Sequence, residues 1–416
     1  MTSTVLVLGG RIQTVRKAVD AGLRVVLIQH REHFVPESAQ LAEAVVIADY
    51  TDWDVLAPLA DGLHRAYGFS RVVTLTEPGL VPAGRIAERL GLPGNSARTC
   101  ELLADKLGMR EHLASGPAAD LSVAAAEVND ADDLRDFAAA HGYPFVVKPV
   151  DATASLGVWK VTDPDDLQAA ADGMAALRAR TDLQWGSFFH IDRFMADQYI
   201  PGTEYSVEAF SFDGRHVVLA VTEKFSEGVL EIGHAQPARI SAADEEAITT
   251  ATVRFLDAMG LTTGPSHTEI RLSPHGAKVI EGHNRIGGDR IVDLLEAAYG
   301  ADLELWTIAW PFGLMEALPG RPEPLCSAAT RFLTAAPGTV TTVEGADKAA
   351  TVEGALDVDL TVTTGTTVRP LTGNWDRIGQ VLATGPDTDA AVAACDRMAE
   401  AITVTTDPST KDTAAS

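Results

Sequence analysis

Residues 262–293 read TTGPSHTEIRLSPHGAKVIEGHNRIGGDRIVD. Side chains alternate from Ser266 to Leu272, a turn follows at Ser273-Pro274-His275-Gly276, and Ala277–Ile280 is an apolar run. This pattern predicts two short strands joined as a hairpin. Each strand carries a glutamate, Glu269 and Glu281. Pairing the strands brings the carboxylates side by side, which is costly unless cations lie between them. Two carboxylates and a phosphate-bearing ligand are the usual holders of Mg²⁺. His283, Asn284 and Arg285 follow at once, then Gly287-Gly288, where a ligand can approach the backbone. The bland alternative, two solvent-facing strand acids, sits poorly with an imidazole, an amide and a guanidinium in the same short stretch.

A chain of 416 residues is too long for one ordinary core and fits two or three domains. The formal net charge of -25 argues against a nucleic-acid partner and against an anionic membrane surface. Small anionic ligands remain allowed, because they need only local positive charge. Cys100, Cys326 and Cys395 are far apart and odd in number, so neither a disulfide framework nor a cysteine-rich zinc site follows. The N-terminus enters a strand without a basic leader, and no stretch approaches a membrane span. A cytoplasmic location is the expectation.

The first 97 residues alternate strand and helix patterns in the rhythm of an open parallel α/β sheet: Thr4–Leu8, Val25–Ile28, Val45–Ile47 and Arg71–Leu75, with helices at 16–22 and 55–67. The GxGxxG fingerprint is missing, which sets a nicotinamide oxidoreductase aside. Glu77 follows the last strand at its carboxyl end, where such sheets bind ligands; a pocket residue and a solvated loop acid are both open readings. Thr99 is placed to cap a helix through Asp105-Lys106 to Arg110, and Asp130 one that ends near Ala140. Lys148 lies in the apolar strand Phe145–Pro149, where lysine needs a partner or snorkels to the surface. The small-residue loop 151–158 suits the cradling of phosphate oxygens by backbone N–H groups, and no P-loop is present. A helix is expected over 163–178, a segment from Phe188 to Ile200 before the strand Glu204–Phe210, a turn at Asp213-Gly214, and a return strand Val217–Lys224. Glu231 and His234 fall in what reads as a linker up to Pro237; His234 is an acid, a base or merely a loop hydrogen-bonder. Helices are expected over 244–259, from about 289 to 299 and over 303–312. From Ala328 the chain turns to Thr, Val, Gly and Asp, reading as a mainly β satellite with few chemical groups, then a helix 389–402 and a disordered tail from Thr406.

The order of these motifs resembles the ATP-grasp carboxylate–amine ligases, in particular the L-amino acid ligase, dipeptide-forming branch, over roughly residues 1–400. The resemblance implies an α/β ATP-grasp architecture. It divides into an N-terminal open α/β domain (1–97), an ATP-grasp domain (98–325, with the lid at about 143–200), a mainly β C-terminal domain (326–404) and a tail (405–416). Asp105-Lys106 with Arg110 looks like the family's DK-x-x-x-R, and GYPFVVKPVDATASLGV like its lysine strand and glycine-rich lid. Lys106 and Lys148 would then contact ATP phosphates, with Ser155 and Gly157 closing over them. Asp197-Gln-Tyr-Ile-Pro-Gly-Thr-Glu204 is similar to the nucleotide-binding adenine hinge, with Asp197 in place of the usual glutamate where contacts are mainly backbone; the resemblance implies purine contacts from the backbone of Gln198 and Ile200, and ribose contacts from Glu204. Lys224 matches a position near the phosphates. Glu269 and Glu281 match the two metal-binding glutamates, 12 residues apart, and Arg285 the arginine beside the transferring phosphoryl.

One departure stands out: the family's Glu-x-Asn-x-Arg is here Glu281-Gly282-His283-Asn284-Arg285. Either His283 replaces the metal-facing asparagine or a bulge brings Asn284 in. The implied activity is ATP-dependent C–N bond formation through an acyl phosphate, with Mg²⁺ or Mn²⁺, small carboxylate and amine substrates of the amino-acid kind, and a homodimer as the common assembly. Arg285, Lys224 and His234 are the candidate catalytic groups. Two alternatives stay open: an ATP-grasp enzyme of another type, such as a carboxylase or other acyl-phosphate transferase, and a nucleotide-binding protein that has lost catalysis.

Overall fold

The computed structural model describes residues 2–180, 191–228 and 230–408. Near its N-terminus, β1 (Thr4–Leu8), β2 (Arg24–Gln29), β3 (Ala44–Ile47) and β4 (Arg71–Val73) form a parallel sheet in the order β3-β2-β1-β4. β1 is wholly buried, as its unbroken apolar run requires of a strand covered on both faces. The two longer helices among these strands span Ile12–Asp20 and Trp53–Tyr67; Asp52 caps the second and Gly68, in the left-handed region, ends it. The turn after β1 needs its glycine: Gly9 has φ +62°, and a Cβ there would lie 2.6 Å from the Tyr50 hydroxyl. Carboxyl ends of β1 and β4 open on the cleft described below.

A second sheet is antiparallel, with β5 (Ala125–Val128), β6 (Phe145–Pro149), β7 (Trp159–Val161) and β8 (Phe194–Gln198) in the order β5-β8-β6-β7. Helices Ala131–His141 and Asp166–Arg178 pack on it through Leu134, Phe137, Met174 and Leu177. The expected segment from Phe188 lies partly outside the described residues.

The third and largest sheet carries the hairpin. β9 (Thr203–Phe212), β10 (Arg215–Glu227), β11 (Leu230–Gln236), β12 (Gly264–Ser273) and β13 (Gly276–His283) are followed by β14 (Ser327–Leu333), β15 (Gly338–Glu344), β16 (Ala355–Leu360), β17 (Thr367–Val368), β18 (Gly379–Gly385) and β19 (Thr403–Asp407). Eight of them run β13-β12-β9-β10-β11-β14-β18-β16. Helix Ala242–Met259 covers one face through Ile248, Phe255 and Leu256. Helix Ile291–Tyr299 packs in another cluster with Phe210, Leu219 and Trp306.

Several expectations are corrected. The presumed linker around Glu231 is β11, an interior strand bonded on both sides. The mainly β C-terminal region is continuous with the large sheet: β14, β16 and β18 extend it, and β15, β17 and β19 form a small sheet of their own. The helix expected from Thr99 to Arg110 is two, Ala97–Leu102 and Lys106–Ala114, because Asp105 caps a fresh start through Gly108 N. The tail is ordered in β19 through Asp407, and residues 409–416 lie outside the described residues. No helix among the described residues is long and apolar enough to cross a membrane.

The cysteines give an early test. Burial pushes the Cys100 thiol up to about 11 and the Cys395 thiol to about 12. Cys326 is only partly covered, and its thiol is also raised by burial. At pH 8 the native protein should therefore release one equivalent from an aromatic disulfide reagent, through Cys326, and three after denaturation. Fast reaction of two or more native thiols would contradict this packing.

Candidate active site

The hairpin register makes Glu269 and Glu281 direct cross-strand partners, with a bulge just after Glu269. Both carboxylates face the same cleft, of about 1320 Å³, lined by residues of the N-terminal, second and large sheets. Their repulsion is offset by buried cations. Lys224 Nζ lies 2.6 Å from Glu269 Oε1 and 2.7 Å from both Glu204 Oε1 and Glu231 Oε1. Lys106 Nζ is 3.5 Å from Glu281 Oε2 and donates to the Ala152 carbonyl in the 151–158 loop at 2.6 Å. Burial alone would push both glutamates up. For Glu269 the Lys224 charge more than reverses this, and for Glu281 the Lys106 charge does, so both stay well below the usual carboxylate range. Lys224 is correspondingly held protonated: burial works against the charge and three carboxylates overcome it. A paired set of ionised carboxylate oxygens fits a hard divalent cation, which would take over charge compensation from the lysines.

Lys148 is tied to a second ionic knot. Asp197, buried on β8, sits 2.8 Å from Arg110 Nη2 and 3.1 Å from Lys148 Nζ. Its side chain holds two cations in place, and Arg110 in turn donates to the Ile280 carbonyl beside Glu281 at 3.0 Å. The hinge backbone is also partly engaged. Gln198 gives its N–H to Ala124 O at 2.9 Å, so any purine contact from it uses the carbonyl. The Ile200 carbonyl accepts from Arg271 at 2.9 Å, leaving its N–H as the group to offer. Glu204 is shared between Arg271 (2.9 Å) and Lys224. Ser155 and Gly157 lie in a turn with φ +58° and +67°, and Ser155 lines the cleft.

At the far end of the cleft, register places His234 directly opposite Lys224 on the neighbouring strand. His234 is buried, with Nε2 3.5 Å from Asp289 Oδ2 and 3.8 Å from Glu231 Oε2. Asp289 is held ionised against burial by His234 and by Arg377, 2.6 Å away. Asn374 donates its side-chain amide to Glu231 at 3.3 Å. Asn374, Arg377, Trp375 and Gln380 thus bring the C-terminal region to the cleft, which the sequence reading had not assigned. Asp289 was equally missed; its signal was the Gly287-Gly288 pair before it, which frees the backbone to turn, and Asp289 itself has φ +53°.

Glu281 and His283 share one face of β13, and Asn284, just past its end, points the other way, its Nδ2 3.5 Å from Cys100 Sγ. Asn284 thus turns away from the Glu281 carboxylate. His283 Nε2 lies 3.1 Å from Glu281 Oε1, and Nδ1 lies 2.8 Å from Glu77 Oε1. Arg285 Nε pairs with the other oxygen of Glu77. Glu77, left open between pocket and solvent, thus ties the N-terminal sheet to the hairpin. Its carboxyl stays well below the usual range although burial opposes this, because Arg285 and His283 face it.

Comparison with known families bears on this geometry. The ATP-grasp N-terminal domain matches residues 15–94, the ATP-grasp domain 141–293, and the L-amino acid ligase C-terminal domain 2 residues 331–407. The chain belongs to the ATP-grasp family. Among ATP-grasp structures, an L-amino acid ligase from Bacillus licheniformis superposes with a TM-score of 0.81 at 20% identity, covering 98% of this chain and 99% of that one. Carnosine synthase 1 of Gallus gallus is 29% identical over 253 residues, 58% of this chain and 27% of that protein. Alanine–anticapsin ligase of Bacillus subtilis (strain 168) is 24% identical over 289 residues, 66% of this chain and 57% of the other. The match thus spans about half or less of the length of these two relatives. Within the ATP-grasp architecture, the cleft between the lid sheet and the large sheet is where the paired glutamates and three buried lysines converge.

Proposed function

We propose that the protein is an ATP-dependent carboxylate–amine ligase that joins an amino acid, or a similar carboxylate, to an amine through an acyl phosphate. The observation that carries this reading is the cross-strand Glu269–Glu281 pair set among Lys106, Lys148, Lys224 and Arg285 in one cleft. The activities for which the relatives are named, alanine–anticapsin ligation and carnosine synthesis, support it as chemistry of the same kind.

A carboxylate is a poor electrophile because oxide is a poor leaving group. In the first step a carboxylate oxygen attacks the γ-phosphorus of ATP, the bond to the β–γ bridging oxygen breaks, and ADP leaves. Phosphoryl transfer of this kind needs in-line positioning and charge compensation more than covalent help. Lys106 and Lys148 hold phosphate oxygens, and Arg285 faces the transferring group. A divalent cation held by Glu269 and Glu281 supplies further neutralisation when bound. In the second step the amine nitrogen attacks the acyl carbon, the carbon–oxygen bond breaks, and phosphate departs. The ammonium must first lose a proton, and His234, between Glu231 and Asp289, is the group positioned to accept it; those two carboxylates suit the binding of an ammonium. The 151–158 loop keeps water from the acyl phosphate.

The test is ADP release with Mg²⁺-ATP across single and paired amino acids and other carboxylates, with mass spectrometry of the products. A dehydrated adduct that forms only when one carboxylate and one amine are both present is the expected result. Tight ATP binding with no turnover on any pair would overturn the reading. Within the same assay His234→Gln should lower kcat by about 10²-fold, with the loss shrinking as pH rises and more amine is free. A pH-independent loss would assign His234 to packing.

A further inference from the structure

We infer that Glu231, His234 and Asp289 form a second cation site, suited to Zn²⁺ or a similar late first-row ion, and that an ion there excludes the amine substrate. Lys224 stands between this site and the Glu269–Glu281 pair, 2.7 Å from Glu231 and 2.6 Å from Glu269. The exclusion rests on the ligase reading, since the ion would take the place of the ammonium.

A local irregularity brings the three groups together. Residues three apart in a regular strand face opposite sides of a sheet. In β11, Gly233 pairs with Phe225 and Glu231 with Ser226, so Ile232 is left over as a bulge. Bulges re-aim side chains, and this one turns Glu231 to the side of His234. Asp289 arrives from the loop after Gly287-Gly288, with φ +53°. His234 Nε2 then lies 3.5 Å from Asp289 Oδ2 and 3.8 Å from Glu231 Oε2. One ligand atom from each residue lies within 4.8 Å of the others. Ligand atoms bonded at about 2.1 Å to a tetrahedral ion stand about 3.4 Å apart. An ion has only to draw the set together, with water as its fourth ligand.

The imidazole marks the site as more than a cluster of acids. His234 is 1% exposed, and neither ring nitrogen has a hydrogen bond among the described residues. Buried polar groups are seldom left so, and a cation on Nε2 supplies the partner. Both carboxylates are held from behind, as ligating carboxylates usually are. Glu231 Oε1 is 2.7 Å from Lys224 Nζ, and Asp289 Oδ1 is 2.6 Å from Arg377 Nη2. The oxygens nearer His234 accept longer bonds, 3.3 Å from Asn374 to Glu231 and 3.1 Å from Arg377 to Asp289, and each keeps a lone pair for an ion. Lys224 and Arg377 weaken the hold on any cation bound through charge alone, so selection falls to the nitrogen. Mg²⁺ favours six oxygens, whereas an imidazole with two carboxylates suits Zn²⁺. The ion ties up His234 and both carboxylates, the groups that the amine needs.

The experiment uses the full chain with excess Mg²⁺ and the β,γ-methylene analogue of ATP, which fill the nucleotide site, and Co²⁺ as the visible probe for Zn²⁺. One equivalent of Co²⁺ should develop the visible band of a four- or five-coordinate ion, and one equivalent of Zn²⁺ should erase it. His234→Gln and Asp289→Asn should each weaken Co²⁺ binding by about tenfold or more, so either variant decides the matter if the other does not fold. His267→Gln and His283→Gln must leave the band unchanged, which separates this site from the hairpin imidazoles. With the substrate pair identified by the adduct screen, buffered free Zn²⁺ should raise the KM for the amine and leave that for ATP unchanged. A band that survives both His234→Gln and Asp289→Asn would overturn the inference, as would its absence from the native chain. Inhibition by Zn²⁺ that added Mg²⁺ relieves and added amine does not would overturn it too. The binding result is independent of the ligase reading: a His234-dependent Co²⁺ site in a chain that joins no pair would uphold the site and sink that reading.

Discussion

Replacing Lys224 with methionine is expected to destabilise the fold by about 3–5 kcal/mol at neutral pH and to abolish ligation. The methionine fills similar space, so the loss is electrostatic. Lys224 is 3% exposed at its side chain and meets Glu204, Glu231 and Glu269 within 2.7 Å. Removing it leaves three half-buried carboxylates facing one another without that cation. The pH dependence then changes sign. In the native chain burial opposes ionisation of Glu269, but Lys224 holds its pKa below the unfolded value. That contribution is present above the unfolded pKa of about 4.5 and is lost as pH falls through the lower folded value. In the variant, burial and mutual repulsion raise the same pKa, so the folded state binds protons more readily than the unfolded one. The variant should gain stability as pH drops from 7 toward 5, where the native chain stays level. Ligand oxygens of these three glutamates lie within 4.8 Å of one another, so Ca²⁺ or Mg²⁺ should raise the melting temperature of the variant more than that of the native chain. Equal melting temperatures and parallel pH profiles would sink the account.

Sequence separation between partners decides which parts of the molecule were legible from sequence. The hairpin was readable because its alternation, its turn and both acids fall within about twenty residues, and pairing two adjacent strands needs no long-range information. The parallel N-terminal sheet was readable for the same reason, from apolar runs separated by helix patterns. β11 was misread because Glu231 and His234 break its apolar pattern and Gly233 looks like a linker residue. The structural reason for the glycine is close approach: a Cβ at Gly233 would lie 2.4 Å from the Thr330 carbonyl of β14. That neighbour is almost a hundred residues away, and no local pattern announces it. The same holds for Asp197. Its part in anchoring Arg110 depends on a partner 87 residues distant. Arg377 reaches Asp289 across 88 residues, so the contribution of the C-terminal strands to the cleft could not be seen in their composition.

Arg285 should prove the most sensitive position for chemistry. Its replacement by lysine is expected to lower kcat by about 10²–10³-fold while changing the KM for ATP by no more than about threefold. The guanidinium does two things at once. It pairs through Nε with Glu77 and donates through Nη1 to the Ile286 carbonyl at 2.9 Å. Burial works against its charge, and Glu77 outweighs that, so the group stays cationic throughout the usable pH range. A planar fork satisfies both partners and still presents N–H groups to a phosphoryl oxygen; a lysine ammonium is a single point and cannot cover the three directions. The charge is kept in Arg285→Lys, so a large loss in that variant measures geometry and not electrostatics alone. Arg285→Ala should lose more, by leaving Glu77 facing only His283, and added guanidinium salt should restore part of kcat by refilling the site. Glu77→Gln separates anchoring from catalysis: it frees Arg285 while leaving its N–H groups, and should lower kcat less than Arg285→Lys does. If Arg285→Lys kept more than about a tenth of kcat, the guanidinium would be a tether between the N-terminal sheet and the hairpin, with no direct part in phosphoryl transfer.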